Sequence, residues 1–178
     1  DQTQPTVTSF TFDDNILSKG ETAVVKLVFS EAVSGLNSDD DISAQNGVLS
    51  SMASADYIIW TGTFTPTDNI EDTTNTLSLA NPYTDTNGNS GINATSVNYV
   101  IDTLAPTLNI DLSDEALRVG DTSTVTFTFS EEPTGFTADD VTVVNGALSD
   151  LTVTSEAKVY TATYTPTADV EDATNVIS

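Results

Sequence analysis

Whatever chemistry this sequence can do rests on carboxylates. In the stretch FSEEPTGFTADD, Glu131 and Glu132 stand where a strand ends, and Asp139 and Asp140 follow. The stretch FSEAVSGLNSDDD repeats the arrangement with Glu31 and then Asp39 and Asp40. Glu131 recurs as Glu31, whereas Glu132 is Ala32 in the other copy, so Glu131 is the stronger candidate of its pair. Further acids and amides fall between apolar runs: Asp13 and Asp14, Glu71 and Asp72, Asp85 with Asn89, and Asp102, with Asp1 at the start. Two chemistries suit such groups. Paired carboxylates can hydrolyse glycosides. Clustered carboxylates bind hard divalent cations.

Composition narrows the choice. The chain has 178 residues and 27 acids against four bases, Lys19, Lys26, Arg118 and Lys158. A net charge of −23 excludes polyanionic partners, so no nucleic acid and no anionic membrane surface is expected. It suits cations, or an acidic surface kept for solubility or high salt. Cysteine and histidine are both absent, which removes disulfides, thiol nucleophiles, imidazole bases and the usual zinc ligands. No run reaches the roughly 20 apolar residues of a membrane-spanning helix, so direct membrane insertion is not expected. No signal peptide is present, and the chain begins mid-pattern, as expected of a piece of something longer.

The sequence is one unit written nearly twice. GETAVVKLVFSEAVSGLNSDD from Gly20 is echoed by GDTSTVTFTFSEEPTGFTADD from Gly120. WTGTFTPTDNIEDTTN from Trp60 is echoed by YTATYTPTADVEDATN from Tyr160. The offset is about 100 residues, with small slips near Asp13 and Asp41. Repeat 1 therefore runs over residues 1–101 and repeat 2 over 102–178. Repeat 2 stops opposite Ser78, so it is expected to be incomplete, lacking its final hairpin and last strand.

These acids must be positioned by strands. Val125, Phe127 and Phe129 alternate with threonines, the period of two of a half-buried strand. Val25, Leu27 and Phe29 match them in repeat 1. Repeat 1 reads as seven strands, at about 6–12, 22–30, 41–45, 48–54, 57–65, 75–80 and 96–101. Turn signals separate them, among them Asp13-Asp14-Asn15, Asn46-Gly47 and Asn87-Gly88. The fold class is all-β: tandem immunoglobulin-like β-sandwiches of about seven antiparallel strands each, the second incomplete. Aromatics take core-facing positions, with Tyr57 and Tyr83 as the two candidates for exposure.

Strands that alternate in direction sort their connections to two poles. Asp13, Asp14, Asn46, Asp68, Glu71, Asp72 and finally Asp102 fall at the far pole of repeat 1. Asp1, Glu31, Asp39 to Asp41, Asp56, Asp85 and Asn89 fall at the near pole. Placed end to end, the far pole of repeat 1 meets Glu131, Glu132, Asp139 and Asp140 of repeat 2. Such acids must protonate, splay apart or take up a cation. Ca2+, with six to eight flexible oxygen ligands, fits better than the tighter octahedron of magnesium. Asp85-Thr-Asn-Gly-Asn89 reads either as a shortened calcium loop or as a plain hairpin turn. The acids repeat between copies with no evident cleft, so enzymatic chemistry is not expected.

The segments APT, GDTSTVTFTFSEEPTGFTADDVTVVNGALS and YTATYTPTADVEDATN resemble the bacterial Ig-like repeats of giant, often RTX-type, surface adhesins. The shared features are a D-x-x-x-P-T linker (Asp102 to Thr107), Ser130-Glu131, Ala138-Asp139-Asp140, and D-x-x-G-N from Asp85 to Asn89. Repeat 1 departs from the pattern by the additional Asp41 and by Leu36-Asn37-Ser38 where repeat 2 has Phe136-Thr137-Ala138. The resemblance implies β-sandwiches, calcium at domain junctions and export to the bacterial surface or medium. It implies a structural extender that supports cell adhesion or biofilm formation. The partners would be neighbouring repeats of the same polypeptide, with the host or surface ligand bound by another domain. The alternative is a module that recognises a glycan or protein through its pole loops.

Overall fold

The computed structural model describes residues 2–80 and 82–178. The candidate Asp1 lies outside the described residues. The chain divides into two compact units, Asp1–Ala105 and Pro106–Ser178. In chain order unit 1 carries β1 (Val7–Phe12), β2 (Ile16–Ser18), β3 (Ala23–Phe29), β4 (Val33–Ser34), the short helix α1 (Ser38–Asp41), β5 (Ile42–Ala44) and β6 (Gly47–Leu49). There follow β7 (Ile59–Pro66), β8 (Glu71–Asn75), β9 (Leu77–Leu79), β10 (Thr84–Asp85), β11 (Ala94–Thr95) and β12 (Tyr99–Asp102).

Alternation decides which layer each strand joins. In β3 every second residue from Ala23 to Phe29 is buried, so one face is apolar and must be covered. The strands β1, β3, β7 and β6 form one antiparallel sheet in that order. The opposite layer is built from the ladders β2-β12-β8 and β11-β9-β5. Val25, Leu27 and Phe64 from the first layer share a core with Leu17, Leu77, Leu79, Tyr99 and Ile101 from the second. The Tyr99 ring lies 4.8 Å from both Phe12 and Phe64. This is the two-layer antiparallel sandwich that the alternation predicts.

Three local differences matter for the site. The first concerns Asp13 to Asn15, expected as a reversal. Here the first strand changes layers instead. β1 pairs with β3, and β2 then continues in the same direction, parallel to β12. The reversal comes later, at Ser18 to Glu21, where Gly20 takes a φ of 84°. The Glu21 carboxylate accepts from the Ser18 amide at 2.8 Å, fixing that turn.

The second difference is a single inserted residue. Repeat 1 forms one turn of α-helix over Ser38–Asp41, whereas repeat 2 forms a 3-10 turn over Ala138–Asp140. Asp41 accepts from the Asn37 amide at 2.7 Å, and Asp140 from the Thr137 amide at 2.9 Å. The partner of Asp140 is therefore Asp41, and the insertion widens the cap from three residues to four. Thirdly, the strand expected over 75–80 is two strands, β8 and β9. β8 starts at Glu71, so Glu71 and Asp72 sit in a ladder rather than a loop.

Unit 2 repeats one layer in full. Its strands are β13 (Leu108–Leu112), β14 (Ser123–Phe129), β15 (Gly146–Leu148), β16 (Thr152–Val153) and β17 (Val159–Pro166). They join as β13-β14-β17-β15, with β16 also on β17. The second layer is represented by a bridge between Val143 and Ile177. Among the described residues, no strand of unit 2 stands where β12 stands in unit 1. The segments that match β2 and β8 carry no strand either, because β12 is the partner on which both pair in unit 1.

Candidate metal-binding ends of the two units

At one end of unit 1, β8 and β12 carry three acids at neighbouring ladder positions. Asp102 lies opposite Glu71, and Asp72 lies opposite Ile101. Asn46 belongs to the same end. It holds a φ of 51°, which Asn tolerates better than most residues. Its amide donates to Asp72 Oδ2 at 3.0 Å and to Asn75 Oδ1 at 2.7 Å. Asp72 Oδ1 accepts from the Thr74 amide at 2.9 Å. Both Asp72 oxygens thus serve the chain itself. Glu71 and Asp102 are exposed and accept no side-chain hydrogen bond among the described residues.

Asp13 and Asp14 do not join that group. Asp13 Oδ1 accepts from the amides of Asp14 at 2.9 Å and Val24 at 2.7 Å. Asp14 Oδ1 accepts from the Ile16 amide at 2.9 Å. They satisfy the backbone where the strand changes layers, five and four residues before Ser18, the partner of Asp102. Glu21, not marked by its sequence as a candidate, is the acid at the true reversal. The signal for it was the Gly-acid pair repeated as Gly120-Asp121. Asp121 likewise accepts from the Arg118 amide, at 3.0 Å.

At the other end, most acids are also engaged. Asp39 accepts from the Ser51 hydroxyl at 2.8 Å, and Asp40 from the Asn37 side chain at 2.6 Å. Asp140 accepts from both the amide and the hydroxyl of Thr137. Glu31, Glu131 and Asp139 accept no side-chain hydrogen bond among the described residues. Among the described residues, no three acids gather closely enough to form a metal-holding group.

The Asp85 to Asn89 segment is a turn locked by its own donors. Asp85 is 2 % exposed. Its Oδ1 accepts from the amides of Asn87 and Asn89, both at 2.8 Å, and its Oδ2 from the Asn89 side chain at 2.7 Å. Burial pushes its carboxyl up, but the bonds from Asn89 and Asn87 outweigh this and hold it below the usual range. Backbone bonds from Ile59 and Ile58 do the same for Asp56. Asp172, counterpart of Asp72, is lowered by the amide and hydroxyl of Thr174.

The two tyrosines expected on the surface separate. Tyr83 is fully buried beneath Gly91, its hydroxyl donating to Ile92 O, because the loop after β9 turns inward over Phe29. Tyr57 is 59 % exposed, at a φ of 59°, with its ring edge-on to Trp60.

A two-layer antiparallel sandwich in one unit, with one of its layers repeated in full in the next, defines a tandem of immunoglobulin-like domains. A family model described as a bacterial Ig-like domain matches residues 1–101 and 102–178. The chain belongs to that bacterial Ig-like domain family. A search of curated proteins finds none that matches the chain. No described helix is long and apolar enough to cross a membrane.

Proposed function

We propose that the chain is part of a structural extender of a bacterial cell-surface adhesin, stiffened by Ca2+ at the junctions between its repeats. Its role would be to hold a separate ligand-binding domain away from the cell, in adhesion or biofilm growth. The location would be extracellular, where calcium is plentiful enough for weak sites. The observation that supports this reading is the exposed pair Glu71 and Asp102, acid against acid on adjacent strands, neither carboxylate accepting a hydrogen bond among the described residues. Like charges placed so are unfavourable until a cation intervenes.

Two carboxylates offer at most four oxygens, short of the six to eight that calcium takes. The remainder would come from backbone, water or a neighbouring repeat, through acids such as Glu131 and Asp139. Binding to the folded state alone would stabilise it by mass action. The test is thermal melting in EDTA and in millimolar calcium at one ionic strength, with small-angle scattering on the same samples. A higher melting temperature and a longer, less flexible particle in calcium are expected. Equal curves would reject the metal, and an unchanged particle would reject the stiffening. A merely acidic, salt-adapted surface would respond equally to sodium.

Tyr57 favours a second reading. A bulky residue at positive φ is an uncommon strain and often marks a functional position. Exposed beside Trp60, it offers a ledge for a glycan or protein at one pole. Binding to glycan arrays that disappears in Tyr57→Gly would support recognition over extension.

A further inference from the structure

We propose that Asn87, in the turn after β10, is a site of spontaneous deamidation that converts it to an acid and unlocks that turn. The sequence holds three Asn-Gly pairs, Asn46-Gly47, Asn87-Gly88 and Asn145-Gly146. In each, the glycine leaves its amide nitrogen unshielded by any side chain. That nitrogen can attack the Asn carboxamide once the peptide linking the two is free to turn. The fold decides which pair has this freedom.

Asn46 and Asn145 are held on both sides of the reaction. The side-chain amide of Asn46 donates to Asp72 and Asn75, and that of Asn145 to Asp172 and Asn175. The peptide that carries the attacking nitrogen is pinned as well. The Thr67 amide donates to Asn46 O at 2.9 Å, and the Thr167 amide to Asn145 O at 2.8 Å. Gly47 opens β6 and Gly146 opens β15, each against an aromatic ring, Phe64 and Tyr164. Freeing either peptide breaks the end of a ladder and disturbs its packing.

Asn87 stands in the open. Asn87 and Gly88 are both exposed, neither lies in a strand, and a Cβ at Gly88 would meet nothing within 4 Å. The Gly88 amide donates to Asp85 O at 3.3 Å, just beyond the usual range. The Asn87 side chain is bonded to Asp85, within the same turn. Opening such a surface turn takes less free energy than opening a ladder.

The chemistry needs only base and water. Base removes the Gly88 amide proton, and the nitrogen bonds to Asn87 Cγ. The Cγ–Nδ2 bond breaks and ammonia leaves, giving a cyclic imide. Water then opens the ring at either carbonyl. One product is aspartate; the other is isoaspartate, whose main chain runs through Cγ. Both carry a carboxylate where there was an amide. Asp85 is buried and accepts from the amides of Asn87 and Asn89 and from the Asn89 side chain. Conversion replaces its Asn87 side-chain donor with a like charge. A second carboxylate in so tight a turn repels the first, so the hold on the Asn89 amide loosens. The step runs one way, because ammonia is lost.

The test incubates the folded 178-residue chain in warm, mildly alkaline buffer, beside a sample unfolded in urea. Peptide mapping by mass spectrometry, with the aspartate and isoaspartate isomers separated, follows all three sites. In urea the three should convert at similar rates. In the folded chain Asn87 should outrun Asn46 and Asn145 by about tenfold or more, a factor set by their different opening free energies. Asn87→Ser, which cannot form the imide, should leave residue 87 unchanged in mass. Asn87→Asp, standing for the direct product, should lower both the melting temperature of unit 1 and the protection of the Asn89 amide. Equal folded-state rates at the three sites would overturn the proposal. So would an Asn87 that stays intact when folded while converting in urea. Native melting and native Asn89 protection in Asn87→Asp would overturn the unlocking.

Discussion

Asp102 faces Glu71 across the β8–β12 ladder as a directly opposed pair of like charges. A directly opposed like pair is unfavourable relative to a neutral one. Glu71→Gln should therefore raise the melting temperature of unit 1 by a few degrees in EDTA at low salt. In calcium the order should reverse, with the native pair gaining and the doubly neutral variant Glu71→Gln, Asp102→Asn gaining little. Differential scanning calorimetry checks both. An equal calcium response in the double variant would place the ion elsewhere.

Tyr99 makes unit 1 sensitive to alkali. Burial pushes its hydroxyl up to about 12, with the charge of Asp72 adding to this and the bond to Gln45 opposing it. The unfolded hydroxyl ionises near about 10. The stabilising difference is fully present below that value and is lost as pH rises through about 12. Urea midpoints should fall across this window and fall less in Tyr99→Phe. Tyr83, also raised by burial, leaves part of the slope in place. Near neutral pH, Tyr99→Phe should cost about 1 kcal/mol for the lost hydrogen bond. A slope above pH 10 identical to that of the native chain would refute the assignment.

Asp85 makes the opposite prediction. Its carboxyl sits below the ordinary value, so its contribution is present above the unfolded value of about 3.9 and lost as pH falls through the lower folded one. Side-chain carbon NMR should give Asp85 a midpoint below that of an exposed aspartate. Protection of the Asn87 and Asn89 amides should vanish in step with it. Asp85→Ala should lower the protection of the Asn87 amide at neutral pH. If calcium instead holds this loop, Asp85→Ala would cut the calcium response of unit 1, which the closed turn does not predict.

The layer architecture was legible because alternation is a local signal: Val25, Leu27 and Phe29 announce an inward face without reference to anything distant. The shared end of Glu71, Asp72 and Asp102 was legible for a related reason, since alternating strands sort their connections by parity. Asp13 and Asp14 were misread because two acids before Asn15 look like a turn, and the parallel pairing of β2 with β12 joins residues over 80 apart. The role of Asp41 was hidden by aligning adjacent acids by type. Only the caps on Asn37 and Thr137 show which acid matches which. Tyr83 stands in the sequence as a candidate for exposure because its burial depends on a loop, not on strand period. The free state of Glu71 against the engaged state of Asp72 depends on Asn46, which sequence marks only as a turn residue.

Gly47 and Gly146 hold equivalent places, and their alanine variants should differ. A Cβ on Gly47 would collide with the Phe64 ring and approach the Thr65 carbonyl at 2.7 Å. Phe64 is wholly buried against Tyr99 and has nowhere to go. Gly47→Ala should therefore cost about 1–3 kcal/mol, as overpacking of a closed core does. A Cβ on Gly146 would collide with the Tyr164 ring in the same way. That ring lines a cavity of about 760 Å³ in unit 2 and can swing into it, at the expense of its bonds to Val144 and Asn145. Gly146→Ala should cost less, about 1 kcal/mol for a lost hydrogen bond. Denaturant melts that resolve the two units measure both.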